Sequence, residues 1–320
     1  MSTVPHRARS VAIAGALALG IAATAVPGPA AADIACTAKT HGGGAWYHGP
    51  AASNAYDSRF SAGPGLPWLQ DFVPQGVASW YNWDGPRNLL VVASYAAAGG
   101  KARLSGIDPS NGKRLGTVSI APTHAGGIAI TKGWAFVQGQ DDGNKHYIRK
   151  YRLSDLRAKF KQAGLPGLKQ VGKARQVYGS AFLSSYGDNL YAGSFNDKGR
   201  GLMYRYKVAA NGSLATQKGA YEVPTKTQGL LVTKNHFVYS TSYGNDNRSN
   251  IYVVDGGARD IDRPSTRCFR APSMAEGITD YLGTAYLVYE SGSGKYVKEA
   301  PRNIIPNFHK APVSRITSFR

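Results

Sequence analysis

The sequence predicts an all-β chain folded as a β-propeller, on three grounds: a motif that recurs five times, a nearly constant period, and a fixed spacing inside most copies. In each copy a small residue opens a short apolar strand, and a second apolar strand ends in Ser, Gln or Glu. The copies read PQGVAS then VVASY around Gly76 and Ser94, AGGIAI then FVQGQD around Gly127 and Gln140, and SAFLS then YAGSF around Ala181 and Ser194. The last two read TQGLLV then VYSTSY around Gly229 and Ser242, and AEGITD then LVYES around Gly277 and Glu290. Four copies share a spacing of 13 residues, and successive copies begin 51, 54, 48 and 48 residues apart. That interval is the length of one four-stranded blade. The ring therefore has five blades, or six if the N-terminal segment adds a degenerate one.

Ahead of the repeats, Arg7 and Arg9 precede a small apolar run from Val11 to Val26 that ends in Ala30-Ala31-Ala32. A basic start, an apolar middle and a small-residue end make residues 1–32 a secretory signal peptide. No later stretch of 18 apolar residues is present, so no transmembrane segment is expected. Residues 33–73 hold Gly42-Gly43-Gly44 and several prolines but no full copy, and are read as an N-terminal closing segment: a strand, a cap or a degenerate blade. Residues 74–320 form the propeller. Cys36 and Cys268 are the two cysteines, and in an exported chain they are expected to form a disulfide. Ile34-Ala35-Cys36 also resembles the end of a lipoprotein anchor signal, but Asp33 occupies its apolar position and Cys268 would be left without a partner.

Within each copy the second strand is the more aromatic, as in Trp134-Ala135-Phe136-Val137 and His236-Phe237-Val238-Tyr239, and turns rich in Gly, Asn and Asp lead to the third. Third strands are read at His146–Arg149, Leu202–Tyr206 and Asn250–Val254, and the turns Asp108–Lys113 and Ala209–Ser213 open outer strands. One helical insertion is expected from Ser154 to Ala163, with Ser154 as N-cap, Leu156 and Phe160 four apart, and Gly164 beyond its end. Ser291-Gly292-Ser293-Gly294-Lys295 is read as a hairpin turn, Ala300 to Pro312 as a connection, and Arg315 to Phe319 as a last strand.

Antiparallel order brings the start of every first strand and the end of every second strand to one mouth of the central channel. Gln75, Gly126, Ser180, Gln228 and Glu276 then form one ring, and Ser94, Gln140, Ser194, Ser242 and Glu290 another. Only the fifth copy places a carboxylate in both rings. Like charges on neighbouring strand ends raise a pKa unless a cation or donor lies between them. Glu276 and Glu290 are thus either a cation site or an acid/base pair, with Gln75, Gln140, Gln228 and His124 as orienting or ligand-binding groups, or they are structural ion pairs in a basic protein. No cofactor is called for by any motif; Ca2+ or another divalent cation is what the glutamates would accept.

Motifs for other chemistries are missing: no HExxH, no GxSxG, no phosphate-binding GxxxxGK[ST], no CxxC and no EF-hand loop occurs. The formal charge is +19, or +17 without residues 1–32. Ten Lys or Arg and one acid, Asp155, lie between Lys145 and Arg175. Arg157, Lys159 and Lys161 represent this basic patch. Its expected partners outside a cell are an anionic wall polymer, an acidic polysaccharide or an extracellular protein, rather than nucleic acid.

The PQG and EG strand starts, the period near 50 and the YES turn resemble the secreted bacterial β-propellers of the broad TolB/SMP-30-like group, which is six-bladed. Lactonases and phosphotriesterases of that group hold a divalent metal through a Glu at a first-strand start with Asn and Asp ligands. Glu276 matches the Glu, whereas Gln75, Ser180 and Gln228 stand where the other ligands belong. Other secreted propellers resemble scaffolds cross-linked through Gln and Lys by a transglutaminase. The sequence reading is a secreted, monomeric, non-catalytic binding or scaffold propeller at the cell surface or wall; a metal-dependent lactonase- or esterase-like hydrolase centred on Glu276 and Glu290, or a transglutaminase substrate, are the alternatives.

Overall fold

The structure is a computed structural model that describes residues 34–262 and 265–320; the signal peptide read over residues 1–32 lies outside the described residues. Helix α1 (Asn54–Asp57) and strand β1 (Ser61–Gly65) precede the repeats. Blade 1 consists of β2 (Phe72–Asp84), β3 (Arg87–Ala96), β4 (Ala102–Ile107) and β5 (Arg114–Ile120). Blade 2 consists of β6 (Ile128–Thr131), β7 (Trp134–Gln138) and β8 (His146–Arg152), then helix α2 (Leu153–Phe160), then β9 (Arg175–Val177). Blade 3 has β10 (Phe182–Tyr186), β11 (Asn189–Gly193) and β12 (Gly201–Val208), with β13 (Leu214–Thr216) and β14 (Tyr221–Val223) sharing the outer edge of β12. Blade 4 has β15 (Thr227–Val232), β16 (His236–Thr241), β17 (Ser249–Asp255) and β18 (Arg267–Ala271). Blade 5 runs β19 (Ala275–Tyr281), β20 (Thr284–Tyr289), helix α3 (Gly294–Val297) and β21 (Asn307–Pro312), and helix α4 (Val313–Thr317) follows it.

Every blade is antiparallel, and the first strands touch in the cyclic order β2, β6, β10, β15, β19 and back to β2. This is a closed five-bladed β-propeller, so no sixth blade forms. The N-terminal segment supplies instead the fourth strand of blade 5: β1 pairs antiparallel with β21, Ser61 opposite Lys310 and Ala62 opposite His309. Mixing the two ends of a chain in one blade lets ladder hydrogen bonds lock the circle shut.

Because each blade is sandwiched between two others, its middle strands bury both faces. Leu89 through Ala93 of β3 are all buried, as are Ala285 through Tyr289 of β20, which is why these strands read as continuous apolar runs rather than as alternation. The repeated small residue has a steric cause at the axis. A Cβ on Gly277 would lie 2.7 Å from Gln75 O, one on Gly229 2.5 Å from Glu276 O, and one on Gly127 2.6 Å from Leu183 N. First strands of adjacent blades approach so closely here that side chains are excluded.

Cys36 and Cys268 are joined, with their Cα atoms 4.7 Å apart. Next to the disulfide, Thr37 N–H donates to Cys268 O at 2.9 Å and Arg270 N–H to Thr37 O at 3.0 Å, so the N-terminal segment starts on the outer edge of blade 4 and finishes in blade 5. Beneath it, Tyr56 OH lies 2.6 Å from both Tyr289 OH and His309 Nδ1, in a buried network that burial keeps neutral by lowering the His309 pKa to about 3.

Four local readings are corrected. Arg315 to Phe319 is not a strand: α4 covers most of it, Ile316 turning into the core, and the third strand of blade 5 is β21, inside the segment read as a connection. Ser291 to Lys295 is not a hairpin turn, since α3 starts there at Gly294 with Ser293 in the N-cap position. Helix α2 begins one residue before Ser154, with Arg152 as N-cap, because Ser154 Oγ turns to Asp155 Oδ1 at 3.3 Å. Its apolar pair behaves as the spacing predicts: Leu156 and Phe160 are buried, and Phe160 fills the slot left by Gly106 and Gly116 on blade 1.

Candidate functional site

The start of β2 and the loop after β20 meet at one mouth of the channel. Gln75 Nε2 donates to Glu290 Oε2 at 2.8 Å and to Pro74 O at 3.2 Å, so the first blade holds the carboxylate of the last. Glu276 stands beside them in β19, only 1% exposed. Its strand is anchored by Ser240, whose Oγ donates to Glu276 O. Neither carboxylate oxygen of Glu276 has a hydrogen-bond partner among the described residues, and buried Gln75 Oε1 lacks one as well.

Burial raises the Glu276 pKa well above the usual carboxylate range, and the nearby Glu290 charge raises it further. Burial likewise pushes Glu290 up to about 7, while the Gln75 amide, the Lys295 ammonium and the Tyr296 hydroxyl hold it down. Two carboxyls so placed titrate together, and near neutrality the pair retains a proton, with Glu276 the more reluctant to ionise.

Above the pair, Lys295 Nζ donates to Tyr95 OH at 3.0 Å and to Tyr296 OH at 3.3 Å, and lies 5.1 and 4.7 Å from the centres of the same two rings. Tyr95 stacks on His124 with ring centres 4.9 Å apart. Crowding by the surrounding protein and then the Lys295 charge lower the His124 pKa, even though the residue reaches the surface. A cavity of about 400 Å³ opens alongside, lined by Tyr95, His124, Gln138, Gln140 and Asp141.

The structure thus joins Gln75, Glu276 and Glu290, and sets His124 next to them through Tyr95. Gln140 is exposed on the wall of the adjacent cavity, and Gln228 is half-buried at the start of β15 with no side-chain hydrogen bond among the described residues. In blade 2 the inner position is served by Gln138, whose Oε1 accepts from Gly126 N–H at 2.7 Å. Tyr95, Lys295 and Tyr296 escaped the sequence reading. Tyr95 directly follows the ring residue Ser94, and Lys295-Tyr296 closes the loop after Glu290, so their nearness in sequence to ring positions was the available signal. A second cavity, of about 520 Å³, lies at the far ends of the first strands and is lined by Trp80, Tyr81, Lys132, Ser185 and Asp280 among others.

The basic patch is partly absorbed into the fold. Arg157 is half-buried with its guanidinium 5.8 Å from the Trp80 ring, Lys161 Nζ pairs with Asp84 Oδ1 at 2.7 Å, and Lys159 donates to Gln162 Oε1 at 3.2 Å.

No family model matches this chain, and no curated protein does. Among solved structures, it is similar to the glutaminyl cyclase of Myxococcus xanthus, at 9% identity and a TM-score of 0.48, over 78% of this chain and 94% of that one. It is also similar to a chain of a nidogen/laminin complex, at 11% identity and a TM-score of 0.39 over 68% of this chain and 73% of that chain. The Dos1 propeller aligns at 10% identity and a TM-score of 0.32 over 72% of each chain. No helix among the described residues is long and apolar enough to cross a membrane.

Proposed function

We propose that this chain is an exported binding propeller acting outside the cell, and that its recognition site is the mouth at Gln75, Glu276 and Glu290, where it takes a divalent cation such as Ca2+. The observation that carries this reading is the set of buried acceptors without donors: both oxygens of Glu276 and Oε1 of Gln75. Buried acceptors without partners are costly, and hard oxygen ligands of this kind suit Ca2+. The disulfide and the signal-like residues 1–32 support an extracytoplasmic setting. Protons compete with the cation for the same oxygens. Thermal unfolding with CaCl2 should therefore show a rise in midpoint that is larger at pH 8 than at pH 6 and absent in Glu276→Gln. An unchanged midpoint at pH 8, or a rise that survives in Glu276→Gln, removes the reading.

A hydrolase is supported by a different observation: Glu290, near pH 7 in its titration, beside a cavity of about 400 Å³. Turnover of simple lactones or aryl esters by the purified protein, lost in Glu290→Gln, would establish it; hydrolysis no faster than buffer would dismiss it.

A further inference from the structure

Four cationic side chains converge on a polar cavity away from the glutamate pair. The cavity, of about 440 Å³, lies on blade 4 next to the disulfide and is lined by Lys226, Arg248, Arg270 and Arg302, with Asp246 as its acid. Thr241, Ser242, Asn247 and Asn250 add hydroxyl and amide groups to the wall. The four cations are held differently. Arg248 is half-buried and committed: it donates from Nη1 to Pro50 O at 2.9 Å and from Nη2 to Ala51 O, tying the N-terminal segment to blade 4. Arg302 is exposed, and its guanidinium gives one hydrogen bond among the described residues, from Nη1 to Asp246 O at 3.3 Å. Arg270 is exposed with no side-chain hydrogen bond among the described residues, and Lys226 rests on the Tyr243 ring, its Nζ 5.2 Å from the centre.

Like charges gathered around one hollow repel, and the repulsion registers at Arg248, whose pKa is lowered by burial first and then by Arg302 and Arg270. Exposed cations disperse readily when nothing holds them together. Here the backbone gathers them: Lys226 precedes β15, Arg270 sits in β18, and Arg302 follows α3. A planar guanidinium fork matches the oxygens of a phosphoryl group; the Arg270 fork has no hydrogen bond among the described residues, and the Arg302 fork gives only the one to Asp246 O.

We infer that the blade-4 cavity is a phosphoryl-binding site, with Arg270, Arg302 and Lys226 as its ligands and Arg248 as the fixed cation behind them. The phosphoryl group comes either as a free ion or as part of a phosphodiester polymer. The site is independent of Glu276 and Glu290, and on this basis contact with an anionic polymer runs through blade 4 and not through α2, whose Arg157 and Lys161 are already engaged.

The test is calorimetric titration of the full chain at low salt with inorganic phosphate and, separately, with a poly(glycerol phosphate). Both are repeated on Arg270→Ala/Arg302→Ala, on Lys159→Ala, and on Glu276→Gln. Loss of two charge-assisted contacts should weaken binding about tenfold or more in the double variant, with Lys159→Ala and Glu276→Gln unchanged. Binding should also weaken as salt rises. Heat with both titrants assigns a free-ion site, and heat with the polymer alone assigns a polymer site. Absence of binding to either, or equal affinity in the double variant, overturns the inference. Circular dichroism of the double variant, whose two positions are exposed, confirms that it is folded.

Discussion

Gln75 and Glu290 lie 215 residues apart in sequence, and their side chains are joined at 2.8 Å across the seam between the first and last blades. The bond sits where the ring closes, so the same contact links fold closure to the chemistry of the channel mouth.

The buried acid pair makes stability fall as pH rises. Glu290 is raised from an ordinary 4.5 to about 7, and Glu276 is raised further, so the folded state binds more protons than the unfolded one across this range. The contribution is full below about pH 4.5 and is lost as pH rises through about 7. Glu276→Gln, which mimics the protonated acid, should match the parent in urea midpoint near pH 5 and exceed it at pH 8. Equal midpoints at pH 8 would show that Glu276 ionises without cost.

His309 works in the opposite direction. Its pKa falls from 6.5 to about 3 on burial, so the unfolded chain binds the extra proton, and the stability present above pH 6.5 is lost as pH falls toward 3. Removing the hydroxyl that bonds it, in Tyr56→Phe, leaves His309 Nδ1 and Tyr289 OH short of a partner and should cost about 1–3 kcal/mol at pH 7.5. Urea unfolding at that pH measures it directly.

Phe160 fastens the blade-2 insertion to blade 1. Its ring sits where a Cβ on Gly106 or Gly116 would come within 2.6 and 2.3 Å, so the slot is tight. Phe160→Ala should destabilise by about 3–5 kcal/mol, as large-to-small changes in packed cores do, and Gly116→Ala should also destabilise by evicting the ring. A loss below roughly 1 kcal/mol for Phe160→Ala would mean that α2 is dispensable.

Gly277 tests the axial packing. With Gln75 O only 2.7 Å from where its Cβ would be, Gly277→Ala must push blades 5 and 1 apart. Destabilisation of about 1–3 kcal/mol is expected, together with loss of any cation response at the mouth. Gly133→Ala is a poor control because its φ of 80° is itself strained for alanine, whereas Gly44→Ala, with open space around it, should be near neutral.

Reduction of the Cys36–Cys268 bond frees the N-terminal segment from blade 4. The bond closes a span of 232 residues, for which chain entropy gives an upper figure of about 5 kcal/mol. Because Thr37 and β1 keep their own backbone pairing, the measured loss on adding reductant, followed by urea unfolding, should be smaller than that figure.

The propeller was legible in the chain because each blade buries both faces of its inner strands, and that requirement writes an apolar motif opened by a small residue, Gly in four copies and Ala181 in the third, five times at nearly one period. The cysteine pair was legible for a similar reason: two thiols in a chain whose N-terminus reads as a signal peptide have few alternatives. That Gln75 and Glu276 of one ring and Glu290 of the other share a mouth followed from the period and antiparallel strand order, since equivalent positions on equivalent blades lie at the same end of the channel. What repetition could not reveal is whatever occurs once. The segment before β21 has no period, so the third strand of blade 5 was hidden, and α4 replaces a strand because Ile316 is needed in the core. Lys295 over Tyr95, the engagement of Arg157 and Lys161, and the gathering of Lys226, Arg270 and Arg302 all join parts of the chain that no spacing relates. Local pattern settles which segments become strands; which side chains meet depends on how many blades close the circle, and only the packing of five around one axis decided that.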